Sequence, residues 1–474
     1  MTRIKSLSRF AAVVVAALSI AAPVFAARGS ADFTRFVALG DSYGAGFESG
    51  SLNVNHQPFS WPAIIARQAG APDFQQPTVS FPGIANELQL VDAIAFPPVI
   101  LPATGTGQPT NLTLARPYNN LSIPGANVSD LTTLTGADPA TSTAKAFAQF
   151  ILRGKGTAVQ QALAENPTFI AIWIGGNDLL GSVLGGTPKG LTPTDTFKTA
   201  YNKMLDQLIA ADPNAGIVVG NLPTNASALP YLATVPPVLI NPQTRQPVIF
   251  NGAPIPLIAE LGDGTVGPLP AGSFVLLPYS GQIGTGFGIP AFLAADPRFA
   301  NLPNIGKPLL DAWVLTPTEA GQIAARSVEY NQVINDAASA RNIPVADING
   351  LFNKFAKKDQ NGQYVGYQVG PFNFTPSYIT GGLFSFDGFH MTDLGYTLFA
   401  NQYIRTINAA YGTHIPLASI TTLMANNGAF FPSQSMTSGN VFMEGMQWTI
   451  SDEAKAEMLQ FASHVPTKHR AIGH

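Results

Sequence analysis

Ser42 stands in the stretch DFTRFVALGDSYGAGF, residues 32–47, where an apolar run up to Leu39 gives way to Gly40-Asp41-Ser42-Tyr43-Gly44. Glycines beside a serine permit a tight turn, and a helix opening at that point favours negative charge at its N-terminus. Such a position suits a hydroxyl nucleophile; the plainer alternative is a turn in which Asp41 or Ser42 caps the following helix. A serine that cleaves esters needs a base, a group that orients the base, and donors aimed at the developing oxyanion. Each has a candidate. Asp387 and His390 share the stretch SFDGFHMTDLGYTLFANQYI, residues 385–404, three positions apart around Gly388. At that spacing the carboxylate can fold back onto imidazole Nδ1 and leave Nε2 to face a serine. The alternative makes Asp387 a turn residue and His390 a semi-buried polar side chain. Asn177 follows a buried run and two glycines in IWIGGNDLL, residues 172–180, and offers a side-chain NH2 as an oxyanion donor. Asp178 beside it reads as a helix cap, which is also the alternative for the pair. In NNLSIPGANVSDL, residues 119–131, Gly125 after Pro124 either exposes a backbone N–H or makes a simple Pro-Gly turn.

The remaining histidines, His56, His414, His464, His469 and His474, have no acidic partner at comparable spacing, and none pairs with a second ligand at metal spacing. The expectation is therefore no metal and no cofactor. The absence of cysteine excludes disulfides and thiolate metal sites. Lys and Arg total 25 against 28 acidic residues, without clusters, which excludes a nucleic-acid binder. Charged residues make up 11% of the chain, against about 25% in ordinary soluble proteins. With 45 Gly, 39 Pro and 30 Phe, this describes a loop-rich protein with a rather apolar surface.

The elements that must hold these residues alternate. RFVALG (35–40), TFIAIWIGG (168–176), AGIVVGNLP (215–223) and IPVADI (343–348) read as buried parallel strands. Helical patterns lie between them: DTFKTAYNKMLDQLIAAD (195–212) puts Tyr201, Met204, Leu205 and Leu208 on one face, and a long one runs from Thr318 to Arg341. This alternation predicts an α/β fold with a parallel sheet in three layers. Residues 224–310, rich in Pro, Gly, Leu and Val, break the rhythm and read as a large irregular insertion. At the N-terminus Arg3, Lys5 and Arg9 lead into an apolar run from Phe10 to Ile20, and Val24 and Ala26 fit a cleavage site. That is the layout of a secretory signal peptide, residues 1–26, and predicts export to a periplasmic, outer-membrane-associated or extracellular location. A C-terminal extension, residues 413–474, carries a helical pattern at 451–462.

Taken together, GDSY (40–43), SIPGA around Gly125, GGND (175–178) and DGFH (387–390) resemble the four conserved blocks of the GDSL lipase/esterase family, the SGNH hydrolases. Tyr43 stands where the family's leucine would, a position with no chemical role. The resemblance implies Ser42 as nucleophile, His390 as general base and Asp387 as its orienter, with Ser42 N–H, Gly125 N–H and the Asn177 side chain as oxyanion hole. It implies a flavodoxin-like α/β/α sandwich with a mostly parallel sheet. The blocks thread the chain from Gly40 to His390, so residues 27–412 are expected to form one domain. A length prior of about 150 residues per domain would have divided them. The implied activity is cleavage of carboxylic acyl esters, small or lipid-like, through an acyl-enzyme. The apolar insertion favours lipid-like esters and peripheral contact with a lipid surface. A carbohydrate O-acetylesterase, an acyltransferase and a non-catalytic surface protein are the alternatives; oligomeric state is left open.

Overall fold

A computed structural model of the chain describes residues 26–92, 99–241, 244–370, 372–426 and 449–450. All but the last residue of the expected signal peptide, and most of the C-terminal extension with its helical pattern, lie outside the described residues.

The four apolar runs form one parallel sheet: β1 (Phe36–Gly40), β2 (Phe169–Trp173), β3 (Gly216–Gly220) and β4 (Val345–Ala346), in that spatial order. β1 pairs with β2 from Phe36↔Phe169 to Gly40↔Trp173, and β2 pairs with β3 from Phe169↔Gly216 onward. Every residue of β1, β2 and β3 is buried, which is why these runs are apolar throughout rather than alternating. Beyond the free edge of β1 runs the segment 119–123, held by Ala38 N–H to Asn119 O at 2.8 Å and Ile123 N–H to Gly40 O at 2.9 Å. Counting that segment, the chain order across the sheet is 2-1-3-4-5, the flavodoxin-like arrangement, whose direction of winding reverses between β1 and β2. Sheets of this kind bind ligands at the carboxyl ends of the strands beside that reversal.

Helices cover both faces. After β1 comes the one-turn α1 (Ser42–Ala45), then α2 (Trp61–Ala69), started by the Ser60 cap. α3 (Asn177–Leu184) follows β2, and α4 (Thr194–Ala211) buries Phe197, Tyr201, Met204, Leu205 and Leu208, the expected stripe with one aromatic added. α5 (Pro317–Ser339) opens with a capping box of Thr316 and Glu319 and a proline in its first turn. α6 (Ile348–Ala356) follows β4, and α7 (Asp393–Tyr411) is capped by Thr392. α2, α6 and α7 pack together on one face, while α3, α4 and α5 pack on the other. The result is an α/β/α sandwich.

Between β3 and α5, residues 224–316 form short antiparallel pairs, such as Ile258–Glu260 with Val266–Pro268, and brief helical turns. Leu257, Val275, Leu276 and Leu277 from this region are fully buried and continuous with the main core.

Candidate active site

The elements that end at the winding reversal carry the candidate residues. Asp41 caps α1, accepting the Tyr43 N–H at 3.0 Å, so the chain turns sharply and leaves Ser42 at the first helical position. α3 begins right after β2 and carries Asn177 in its first turn, next to the end of β1. Ser42 and Asn177 line one cavity of about 90 Å3, together with Trp173, Leu179, Val183, Leu222, Ile323 and Phe352. Pro223, Ala226 and Leu229, at the start of the insertion, complete an almost wholly apolar wall.

The Asn177 amide donates one hydrogen bond to Ala126 O at 2.9 Å, and its second N–H is not needed for that contact. Asp178 does not cap α3; Gly176 stands at the cap, with no side-chain bond. The Asp178 carboxylate accepts the Val128 N–H at 3.0 Å, so the 123–128 segment and the start of α3 are tied by two bonds. Gly125 lies in that tied segment with φ +80°, and a Cβ there would sit 3.0 Å from Thr143. Glycine is required by backbone and neighbours alike.

Asp387 and His390 lie in the loop before α7, both fully buried. His390 Nδ1 and Asp387 Oδ2 stand 2.8 Å apart; because an ionised carboxylate only accepts, Nδ1 carries the proton and Nε2 is the basic nitrogen. Asp387 also accepts the N–H groups of His390 (2.8 Å), Phe389 (3.0 Å) and Gly50 (2.8 Å) and the Ser385 hydroxyl (3.2 Å). Burial alone would push its carboxyl up, but the His390 charge and hydrogen bond, with the Phe389 and His390 N–H groups, outweigh it and hold the pKa below 3.8. The imidazole is clasped by aromatic rings, Phe389 at 4.4 Å, Phe47 at 4.8 Å and Tyr43 at 5.7 Å between centroids. Tyr43 follows Ser42 in the same turn and donates its hydroxyl to Phe389 O. It thereby links the serine turn to the histidine loop. His390 and Gly125 stand outside the cavity wall itself.

Two supports left no signal in the sequence. The loop 46–51 reaches the acid through Gly50, and Ser49 N–H donates to Ser385 Oγ at 2.8 Å. Tyr231 of the insertion donates its N–H to Gly388 O at 2.9 Å and sets its ring edge-on to Phe389 at 5.8 Å. Gly388, at φ +79°, would bring a Cβ within 3.0 Å of Leu277 and Tyr231 N. His56, which has no acidic partner at short spacing in the sequence, stands among Glu48, Glu87 and Asp393 at 3.2, 3.4 and 3.2 Å. Asp393 reaches it only through the fold, from 337 positions away.

The family described as GDSL-like lipase/acylhydrolase matches the chain over residues 36–403. Among solved structures, an extracellular lipase from Streptomyces rimosus is similar at 14% identity, covering 79% of this chain and 98% of that one with a TM-score of 0.31. A phospholipase A1 from Streptomyces albidoflavus is similar at 15% identity, with 81% and 100% coverage and a TM-score of 0.31. A mutant acetyl-xylooligosaccharide esterase from Geobacillus Stearmophilus is similar at 12% identity, with 81% and 96% coverage and a TM-score of 0.33. At such scores the likenesses carry no argument about substrate. No curated protein sequence matches the chain.

Proposed function

The chain belongs to the GDSL-like lipase/acylhydrolase family and is a carboxylic ester hydrolase; we propose that it is an exported serine esterase whose nucleophile is Ser42, with His390 as general base and Asp387 as orienter. The observation that carries this reading is the cavity that has Ser42 and Asn177 in one mostly apolar wall, beside a loop that supplies a buried, hydrogen-bonded Asp–His pair. Ser42 Oγ attacks the ester carbonyl while His390 Nε2 takes its proton. The C–O bond to the alcohol then breaks as His390 returns that proton to the leaving oxygen. Water, activated by the same nitrogen, releases the acid from Ser42. The oxyanion is held by the N–H groups of Ser42 and Gly125 and by the second N–H of Asn177. Asp387 stays ionised throughout and stabilises the imidazolium that each step creates.

The apolar wall and the insertion that closes it favour acyl esters with a hydrocarbon chain, glycerides and phospholipids among them, over acetylated sugars. Among the described residues no helix is long and apolar enough to cross a membrane, and the N-terminal basic and apolar pattern supports export. The test is hydrolysis of a p-nitrophenyl ester series by the parent and by Ser42→Ala. Turnover that favours octanoyl over acetyl and vanishes in Ser42→Ala supports the reading. A strong acetyl preference moves it to a carbohydrate O-acetylesterase, and undiminished turnover in Ser42→Ala overturns it.

A further inference from the structure

We propose that Glu48, His56 and Asp393 form a binding site for a divalent first-row transition cation of the Zn2+ type, with Glu87 orienting the imidazole from its far side. The site lies outside the cavity described above, and the spacing of the histidines in the sequence had led to an expectation of no metal. His56 Nδ1 stands 3.2 Å from both Glu48 Oε2 and Asp393 Oδ1. All three ligand atoms fall within 4.8 Å of one another. Around a metal with bonds of about 2.0–2.1 Å, neighbouring ligand atoms stand roughly 3.0–3.4 Å apart, so these edges already have the right length. A single Nδ1–H cannot serve two carboxylates. It aligns on Asp393, and Glu48 Oε2, in a side chain only 5% exposed, keeps the ion-pair contact with His56 but has no well-aligned donor of its own. Leaving a buried carboxylate oxygen in that condition is costly, and a cation in the gap would satisfy it.

The surroundings fit a metal–histidine arrangement. Metal-bound imidazoles commonly donate their other N–H to a carboxylate, and His56 Nε2 faces Glu87 Oε2 at 3.4 Å. Glu87 is in turn fixed by Asn53 Nδ2 at 2.9 Å. One imidazole with carboxylate oxygens suits zinc or manganese better than calcium, which prefers oxygen alone. Glu87 and His56 are 15% and 14% exposed, which gives an ion a path from solvent. Burial pushes the Glu48 carboxyl well above its ordinary range, against the attraction of His56, and Asp393 adds to the rise. Binding is an exchange: the metal takes Nδ1 and the carboxylate oxygens, and the Nδ1 proton, with any carboxyl proton, leaves to solvent. The bound ion would join the loop 46–51, which holds Asp387 through Gly50, to the first turn of α7.

The test uses the full chain after chelator treatment and dialysis, titrated calorimetrically with ZnCl2 and, in parallel, CaCl2 in two buffers of different ionisation enthalpy. The expected result is one Zn2+ per chain with proton release, a higher Tm with zinc, and loss of all three in Glu48→Gln and His56→Gln. Glu87→Gln, in a partly exposed side chain, keeps the fold and weakens zinc binding about 10–100-fold. Zinc bound equally by parent and variants sits elsewhere, for instance on the C-terminal histidines, and overturns the proposal. So does an absence of stoichiometric zinc, or calcium binding without zinc binding. None of these outcomes bears on Ser42.

Discussion

Two histidine–carboxylate clusters join the loop 46–51 to the segment 385–393, and they are built on opposite terms. In the first, Asp387 faces one imidazole and collects three backbone N–H groups and a serine hydroxyl. In the second, one imidazole faces three carboxylates, and Glu48 Oε2 has no well-aligned donor of its own. Both acids are buried, yet the pKa of Asp387 is lowered and that of Glu48 is raised. The comparison teaches that burial does not settle the state of a carboxylate; the neighbouring charges and the donors aimed at it do. The first cluster is complete with its own residues. The second is short of positive charge.

Breaking the first cluster gives the largest expected effects. Asp387→Asn keeps the shape but lets Nδ1 lose its acceptor, so kcat on a p-nitrophenyl ester falls about 10⁴-fold with an unchanged fold by circular dichroism. Asn177→Ala removes a neutral donor rather than the proton relay, and the loss of kcat is smaller, about 10²–10³-fold. Gly388→Ala tests the insertion's grip on the same loop. With φ +79° and a Cβ driven against Leu277 and Tyr231, denaturant unfolding should show a loss of roughly 1–3 kcal/mol.

Much of this was legible in the chain. The three long β runs, the stripe on α4, and the pairing of Asp387 with His390 follow from periodicity and short-range spacing, and the structure has each of them. β4 is only Val345–Ala346, shorter than the IPVADI run, because Pro344 has no N–H to extend the ladder before it and Asp347 already caps α6 after it. What the sequence hid is long-range. Nothing in GFESGS announces that Gly50 will reach Asp387, and nothing near His56 announces Asp393. Asp178 reads as a cap because Asp commonly is one, but the turn after β2 gives that place to Gly176 and sends Asp178 to Val128.

The smaller predictions concern pH. Asp387 has a folded pKa below 3.8, so its contribution to stability is present above that value and is lost as pH falls through the lower folded value. Thermal unfolding of Asp387→Asn should therefore show a shallower acid limb than the parent. Asp41 gives the opposite sign. Burial pushes its carboxyl up to about 8, against the hydrogen bond from Tyr43 N–H, and the Asp178 charge adds to the rise. Its contribution is full below 3.8 and is lost as pH rises through about 8. Asp41→Asn, which can still cap α1, should hold its Tm between pH 6 and pH 9 better than the parent does; an equal decline would show that Asp41 is ionised at no cost.

The central claim is that Ser42 is made nucleophilic by the cluster around His390. A fluorophosphonate probe reads this directly, by mass spectrometry of the labelled peptides. The account predicts one adduct per chain, on Ser42, formed much more slowly in His390→Ala and not at all in Ser42→Ala. An adduct on another serine, or labelling of Ser42 at an unchanged rate without His390, would contradict it.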